Sequence, residues 1–300
     1  TTGGGNITLY TDMLYLQNTN SLNSSGVLTI APYTNGTMGV GYSSGYTLNL
    51  DVTTLGYING ASYVFGALVT GNGTTSSSDV TVSTTKDFAD KNVTFISGND
   101  LTLASTLTKA TGTGTANYTL LANHNIMNAS SAGIAATTGA INLIVQSDYD
   151  ANSDGSITFN GGTISTNGGN ITMGGGTGVI TAGSGYAMGN SSKAQGIYIS
   201  NTVSAGGGNI IMNGAAYTAA GANRIGVYAG GTISTTGSGT ISINGIGTGV
   251  ANAGFNNIGV WVVNGGSIST QNGLLSVTGI EQTTGTGGSW GVYVTPTGTS

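Results

Sequence analysis

The sequence predicts an all-β fold, a parallel β-helix or β-solenoid with roughly three short strands in each coil of about 30 residues. Three observations predict it. First, hydrophobic residues make up 38 % of the 300 residues, in short runs that alternate with polar ones, such as Ile-Thr-Leu and Ile-Ser-Ile. Period-two alternation is the mark of half-buried strands. Second, helix formers are scarce, with one Glu, four Lys and one Arg, while Gly numbers 55. No stretch carries a convincing helical period. Third, a unit of sequence recurs at near-constant spacing.

The unit reads G-x-[IY]-x, then G-G-x-I-S-T, then G-x-[IL]-x-[IVM]-x-G. Copies run GSITFNGGTISTNGGNITMGG from Gly155, GIYISNTVSAGGGNIIMNG from Gly196, GVYAGGTISTTGSGTISING from Gly226 and GVWVVNGGSISTQNGLLSVTG from Gly259. A fifth begins GVYV at Gly291. From Gly196 onward the starts are 30, 33 and 32 residues apart. Three short strands cannot bury a hydrophobic face alone, so successive coils must stack. Ile164, Val203, Ile233 and Ile268 are equivalent and are expected to stack as one inner aliphatic column. Ile171/Met173, Ile210/Met212, Ile241/Ile243 and Leu275/Val277 should line a second inner wall. Tyr198, Tyr228, Trp261 and Tyr293 form an equivalent aromatic set. They alternate with Ile197, Val227, Val260 and Val292, which places the rings outside as a ladder able to stack against a ligand. The glycines read as corners, where positive φ costs little.

Earlier strand candidates are Asn6–Leu9, Val27–Ile30, Thr47–Val52, Tyr63–Phe65, Val80–Ser83, Val93–Ile96, Leu101–Leu103, Tyr118–Leu121 and Ile141–Val145. Loops are longer here. Residues 1–90 are read as irregular coils and 91–300 as regular repeats, in one continuous rod of about ten coils. The two ends, GVYVTPTGTS and TTGGGNITLY, join into a string close to the third copy, and neither resembles a polar cap. This points to head-to-tail continuity with adjoining repeats or with copies of the chain.

Composition narrows function. Charged residues are 5 % and the net charge is −5, against about 25 % charged in ordinary soluble domains. The scattered cations Lys86, Lys91, Lys109, Lys193 and Arg224 make no phosphate-binding cluster, which argues against nucleic acid. No apolar run approaches the ~18 residues of a membrane helix, so no membrane insertion is expected. With no Cys there is neither disulfide nor thiolate chemistry.

In order along the chain, LTIAP from Leu28, MGVGYSSGYTLNLD from Met38, KNVTFISGNDLTL from Lys91 and GAINLIVQSDYDANSDGSITFNGGTISTNGGNITMGGG from Gly139 resemble the filamentous-haemagglutinin-like repeat regions of giant bacterial surface and secreted adhesins. The resemblance covers most of the chain. It implies a right-handed β-helix exported to the cell surface or the exterior as a stalk, adhesin or matrix component. It brings no catalytic residue.

The sharpest local motif is Asp148, Asp150, Asn152 and Asp154, followed by Gly155. Oxygen ligands two residues apart can wrap one calcium ion, as in the first half of an EF-hand loop. The twelfth position is Gly161 where such a loop needs a bidentate Glu, and a solvated Asx-rich turn is the plainer reading. His124 is the only His, which rules out a three-His zinc site, and reads as a residue without chemical role. Glu281 is the only Glu, so paired carboxylates could come only from Asp. A polysaccharide lyase would need Lys109 or Lys193 brought close to the Asp cluster. No enzyme is expected. The leading reading is a structural stalk or filament with an adhesive role, and a glycan-binding face is the alternative. Of nine Asn-x-Ser/Thr sequons, including Asn92, Asn117 and Asn170, most read as chance in so Asn-rich a chain, and glycosylation is not predicted.

Overall fold

Strands on three sides stack coil upon coil, every neighbouring pair among them parallel and in register. A computed structural model describes the chain except for residues 1, 4, 69–76, 130, 220, 222, 252–256, 286–287 and 296–300. The expected join of the two termini falls partly outside the described residues, as does the sequon at Asn72. Face 1 carries the strands Ile7–Tyr10, Val27–Ala31, Ser62–Phe65, Asn92–Ser97, Thr115–Ala122, Ala140–Ser147, Ile171–Gly175, Ile210–Ala215, Ile241–Ala251 and Leu275–Gly285. Those ten strands mark ten coils. Face 2 follows from the second coil onward, from Met38–Val40 and Val80–Val82 up to Asn257–Val262 and Ser289–Val294, and its first edge is Leu48–Leu50 of that same second coil. Face 3 returns the chain, with six strands from Leu107–Lys109 to Ser267–Thr270 and a separate short sheet in the first coils. The protein is a parallel β-solenoid.

Alternation decides what lies inside. One face 1 column runs Ile7, Leu28, Tyr63, Val93, Tyr118, Leu143, Ile171, Ile210, Ile241, Leu275. All but the first and last of these ten are buried. The expected face 3 column, Ile164, Val203, Ile233 and Ile268, is in register, and Ile134 extends it. Each buried Ile or Leu contributes about 2 kcal/mol by leaving water. One apolar cluster spans residues before and after position 90 without a break.

Two expectations are corrected. The Thr47–Val52 strand is shorter, Leu48–Leu50, and gives way to a six-residue helix, Val52–Tyr57. Asp51 caps it by accepting the Thr54 amide at 2.6 Å, which satisfies one of the amides a helix start leaves open. Second, the glycines opening the repeat are not all corners. Gly226, Gly259 and Gly291 sit within strands, and a Cβ at Gly259 would collide with the backbone of Gly279, Ile280 and Gly291. A Cβ at Gly245 would in turn strike the carbonyl of Gly259. Faces 1 and 2 therefore meet backbone to backbone in the last coils, and only Gly permits it. Gly161 (φ +83°) and Gly265 (φ +89°) do turn corners. Three of the nine sequons also have a structural cause. At the corner from face 3 to face 1, Asn92 Oδ1 accepts the Asn117 amide, Asn142 Oδ1 the Asn170 amide and Asn170 Oδ1 the Asn209 amide. Asn142 also donates to Asn117 Oδ1 at 3.1 Å. The asparagine holds the corner, the next residue points in and the Thr two on points out, so Asn-x-Thr recurs.

Candidate functional site

The aromatic ladder forms on face 2. Register pairs Tyr198 with Tyr228, Tyr228 with Trp261 and Trp261 with Tyr293. The rings of Tyr198 and Tyr228 stack at 4.5 Å and 8°. Tyr228 meets Trp261 edge-on at 5.8 Å, and Trp261 lies 5.9 Å from Tyr293. Trp290 adds a fifth ring, stacked on Tyr293 at 4.8 Å. The four ladder residues are half-buried, and the alternating Ile197, Val227 and Val260 are fully buried. The rings thus face outward, as alternation requires. Burial, then the neighbouring Tyr198, holds the Tyr228 hydroxyl above its ordinary pKa. The ladder resumes a column that starts in smaller residues: Thr158 stands opposite Tyr198 one coil earlier.

The acidic loop at the corner from face 1 to face 2 is built around the Asp148 side chain. Asp148 is buried, and its Oδ1 accepts the amides of Ser153 at 2.9 Å and Asp154 at 3.2 Å. Its carboxyl is pushed up by burial, against those hydrogen bonds. Asp150 Oδ2 accepts from the Asn152 side chain at 3.0 Å. Asp154 Oδ1 lies 3.1 Å from His124 Nε2. Each side chain of the motif is engaged separately, and among the described residues no three His, Cys, Asp or Glu side chains gather to hold a metal. Asp148, Ala151 and Ser153 all hold positive φ, so the loop is a tight Asx turn around the Asp148 carboxylate.

His124, read from sequence as without chemical role, is the structural hub of this corner. Its Nδ1 lies 2.7 Å from Asp100 Oδ1, one coil earlier, and its Nε2 meets Asp154, one coil later. Asn125 Oδ1 accepts the Ser156 amide and hydroxyl and the Asn190 side chain. Asp79 continues the column downward by accepting from Asn99 and the Asp100 amide. Five coils are thereby tied by one polar column. The signal was the coil period: Leu101, Ile126 and Ile157 are in register, so the residues just before them must stack.

The cations also find places. Lys109 is fully buried, 2.9 Å from Asp90, and donates to the carbonyls of Thr111, Gly112 and Thr138. Lys86 donates to the Leu55 carbonyl and Lys91 to Asn59. Arg224 lies over the Tyr217 ring. Lys193 lines a groove of about 290 Å³ with Thr158, Asn160, Ser192, Gln195 and Tyr198. Neither Lys109 nor Lys193 makes an ion pair with the Asp148–Asp154 loop among the described residues. Compared with known proteins, the chain matches no family model, no curated protein and no solved structure.

Proposed function

We propose that this chain is a non-enzymatic structural solenoid, a stalk or filament segment of a large secreted or surface protein with an adhesive or matrix role. The adhesin-like repeats it resembles in sequence motivate the extracellular assignment. The observation that carries the structural role is the parallel in-register stack of ten coils around one continuous apolar cluster. The last coil of that stack is open. Val292 is 42 % exposed and Val294 60 %, whereas Val260 one coil earlier is fully buried. Leu275 is 41 % exposed, while Ile241 beneath it is buried. With Val262, Ile268 and Val277 these side chains line an apolar basin of about 440 Å³. The outer edges of Leu275–Gly285 and Ser289–Val294 have no neighbouring strand among the described residues. At the other end Ile7, Leu14, Leu16 and Leu22 are only half-covered. Open strand edges over an apolar column are templates for another strand, and a further coil would continue every column, the ladder at Tyr293 included. That coil would come from adjoining repeats or from a second copy docking head to tail.

Against catalysis stands the engagement of the corner carboxylates: Asp100 and Asp148 accept backbone amides, and His124 is shared between two Asp. Negative-stain electron microscopy, with the mass of the intact native chain, tests the reading. Uniform rods built from chains of this mass support docking of copies, and rods of a far longer covalent chain support a stalk segment. Compact particles of single-chain mass would refute both.

A further inference from the structure

The ladder has a free end. Tyr198 is covered on one side by Tyr228, 4.5 Å away. On the other side its register partner is Thr158, whose small side chain cannot supply the next ring. The gap so left is the groove of about 290 Å³, and its walls carry the groups a polar ring would need. Thr158 and Ser192 supply hydroxyls, Gln195 and Asn160 amides. Asn160 Oδ1 accepts the Ser200 hydroxyl at 2.7 Å, which leaves its N–H groups to donate.

Lys193 sets the charge. Lys86, Lys91, Lys109 and Arg224 each meet a carbonyl, amide, carboxylate or ring of the fold. Lys193 is half-buried in the groove wall, and its ammonium meets no acceptor among the described residues. Its position is fixed from behind, because the Asn190 side chain caps the turn by accepting the Ser192 and Lys193 amides. Asn190 is in turn buried against Asn125. A cation beside an aromatic face and four hydrogen-bonding side chains is complementary to a polar ring that carries an apolar C–H face and a negative charge.

We infer that this groove binds a carboxylate-bearing pyranose, a uronic or sialic acid unit, as an added rung of the ladder. The sugar's apolar face lies on Tyr198 and its carboxylate on Lys193 Nζ. The inference goes beyond the structural role and stands whether or not the ends of the solenoid dock.

Ligand-observed NMR titration of the full chain with glucuronate, N-acetylneuraminate and neutral glucose tests it. The expected result is that at least one acidic sugar binds roughly ten-fold more tightly than glucose at low salt, the range of one charge-assisted contact. High salt should narrow that preference. Lys193→Met should erase the preference, and Tyr198→Thr should remove binding of charged and neutral sugar alike, with far-UV circular dichroism unchanged. Absence of binding to the unmodified chain, equal binding of glucuronate, N-acetylneuraminate and glucose, or a preference that survives Lys193→Met would overturn it. The salt series uses the unmodified chain, so the outcome does not hang on how a variant folds.

Discussion

Aromatic rings fill the core of the first coils and line the outside of the last ones. Tyr63, Phe65, Phe88, Phe95 and Tyr118 are all buried, and Phe65 stacks on Tyr63 at 5.9 Å and on Phe95 at 5.5 Å. In the later coils Ile, Val and Met occupy the inner positions, while Tyr198, Tyr228, Trp261 and Tyr293 stand outside. The inner set holds three Phe and two Tyr and the outer ladder three Tyr and one Trp. On the strands parity sends each ring in or out, and Phe88 packs inward from a loop. A shift of one residue would exchange the two sets. The cross-sections follow. Stacked rings fill the space between faces in the first coils, whereas Gly245 and Gly259 let two faces touch in the last ones. One continuous ladder of hydrogen bonds thus accommodates two widths of core.

Four changes probe that contrast, from the largest expected effect to the smallest. Phe95→Ala removes a central ring of the buried stack and should cost about 4 kcal/mol, read from urea unfolding. Gly259→Val puts a branched side chain where the faces touch and should cost roughly 3 kcal/mol. It should speed hydrogen exchange in coils after residue 226 and leave coils before residue 122 protected. Acid should act inside the first region, on the carboxyls that flank Phe88. Burial pushes the Asp87 carboxyl up, but hydrogen bonds from the Thr111 side chain and nearby backbone amides outweigh it, so its pKa is lowered. The Lys109 side chain lowers that of Asp90. A lowered carboxyl contributes stability above its unfolded pKa and loses it as pH falls through the folded value. The melting temperature should therefore drop as pH falls below about 4, and Asp87→Asn combined with Asp90→Asn should flatten the drop. Asp148, raised by burial, works in the opposite sense. Tyr228→Ala, at the middle of the outer ladder, should cost only about 1 kcal/mol. A loss as large as that for Phe95→Ala would mean that the outer rings carry the fold.

Much of the solenoid was legible in the sequence. The period-two runs and the repeated Ile-Ser-Thr motif placed Ile164, Val203, Ile233 and Ile268 in one column and the four rings in another. What escaped depended on contacts between coils that sequence spacing does not display. Val52 continues an alternating run, yet the Asp51 cap diverts the chain into a helix. Gly226 and Gly259 resemble turn residues, and only the approach of a second face explains them. The spacing of Asp148, Asp150, Asn152 and Asp154 fits a calcium loop, but spacing does not say that Asp148 turns inward onto its own amides. His124 stood alone because the first coils lack the repeated motif that would have aligned it with Asp100 and Asp154.

Register is the claim from which the columns, the ladder and the open end all follow, and a chain without Cys allows it to be tested by introduced disulfides. Ser242 and Ser276 are register partners on the outer side of face 1. Their Cα atoms should lie about 4.8 Å apart, within disulfide reach, whereas Ser242 and Thr278 should be about 8 Å apart, beyond it. Oxidation of Ser242→Cys with Ser276→Cys, followed by peptide mass spectrometry, should give the cross-link in high yield, and Ser242→Cys with Thr278→Cys should give little. Equal yields, or the reverse preference, would contradict the register and the solenoid built on it.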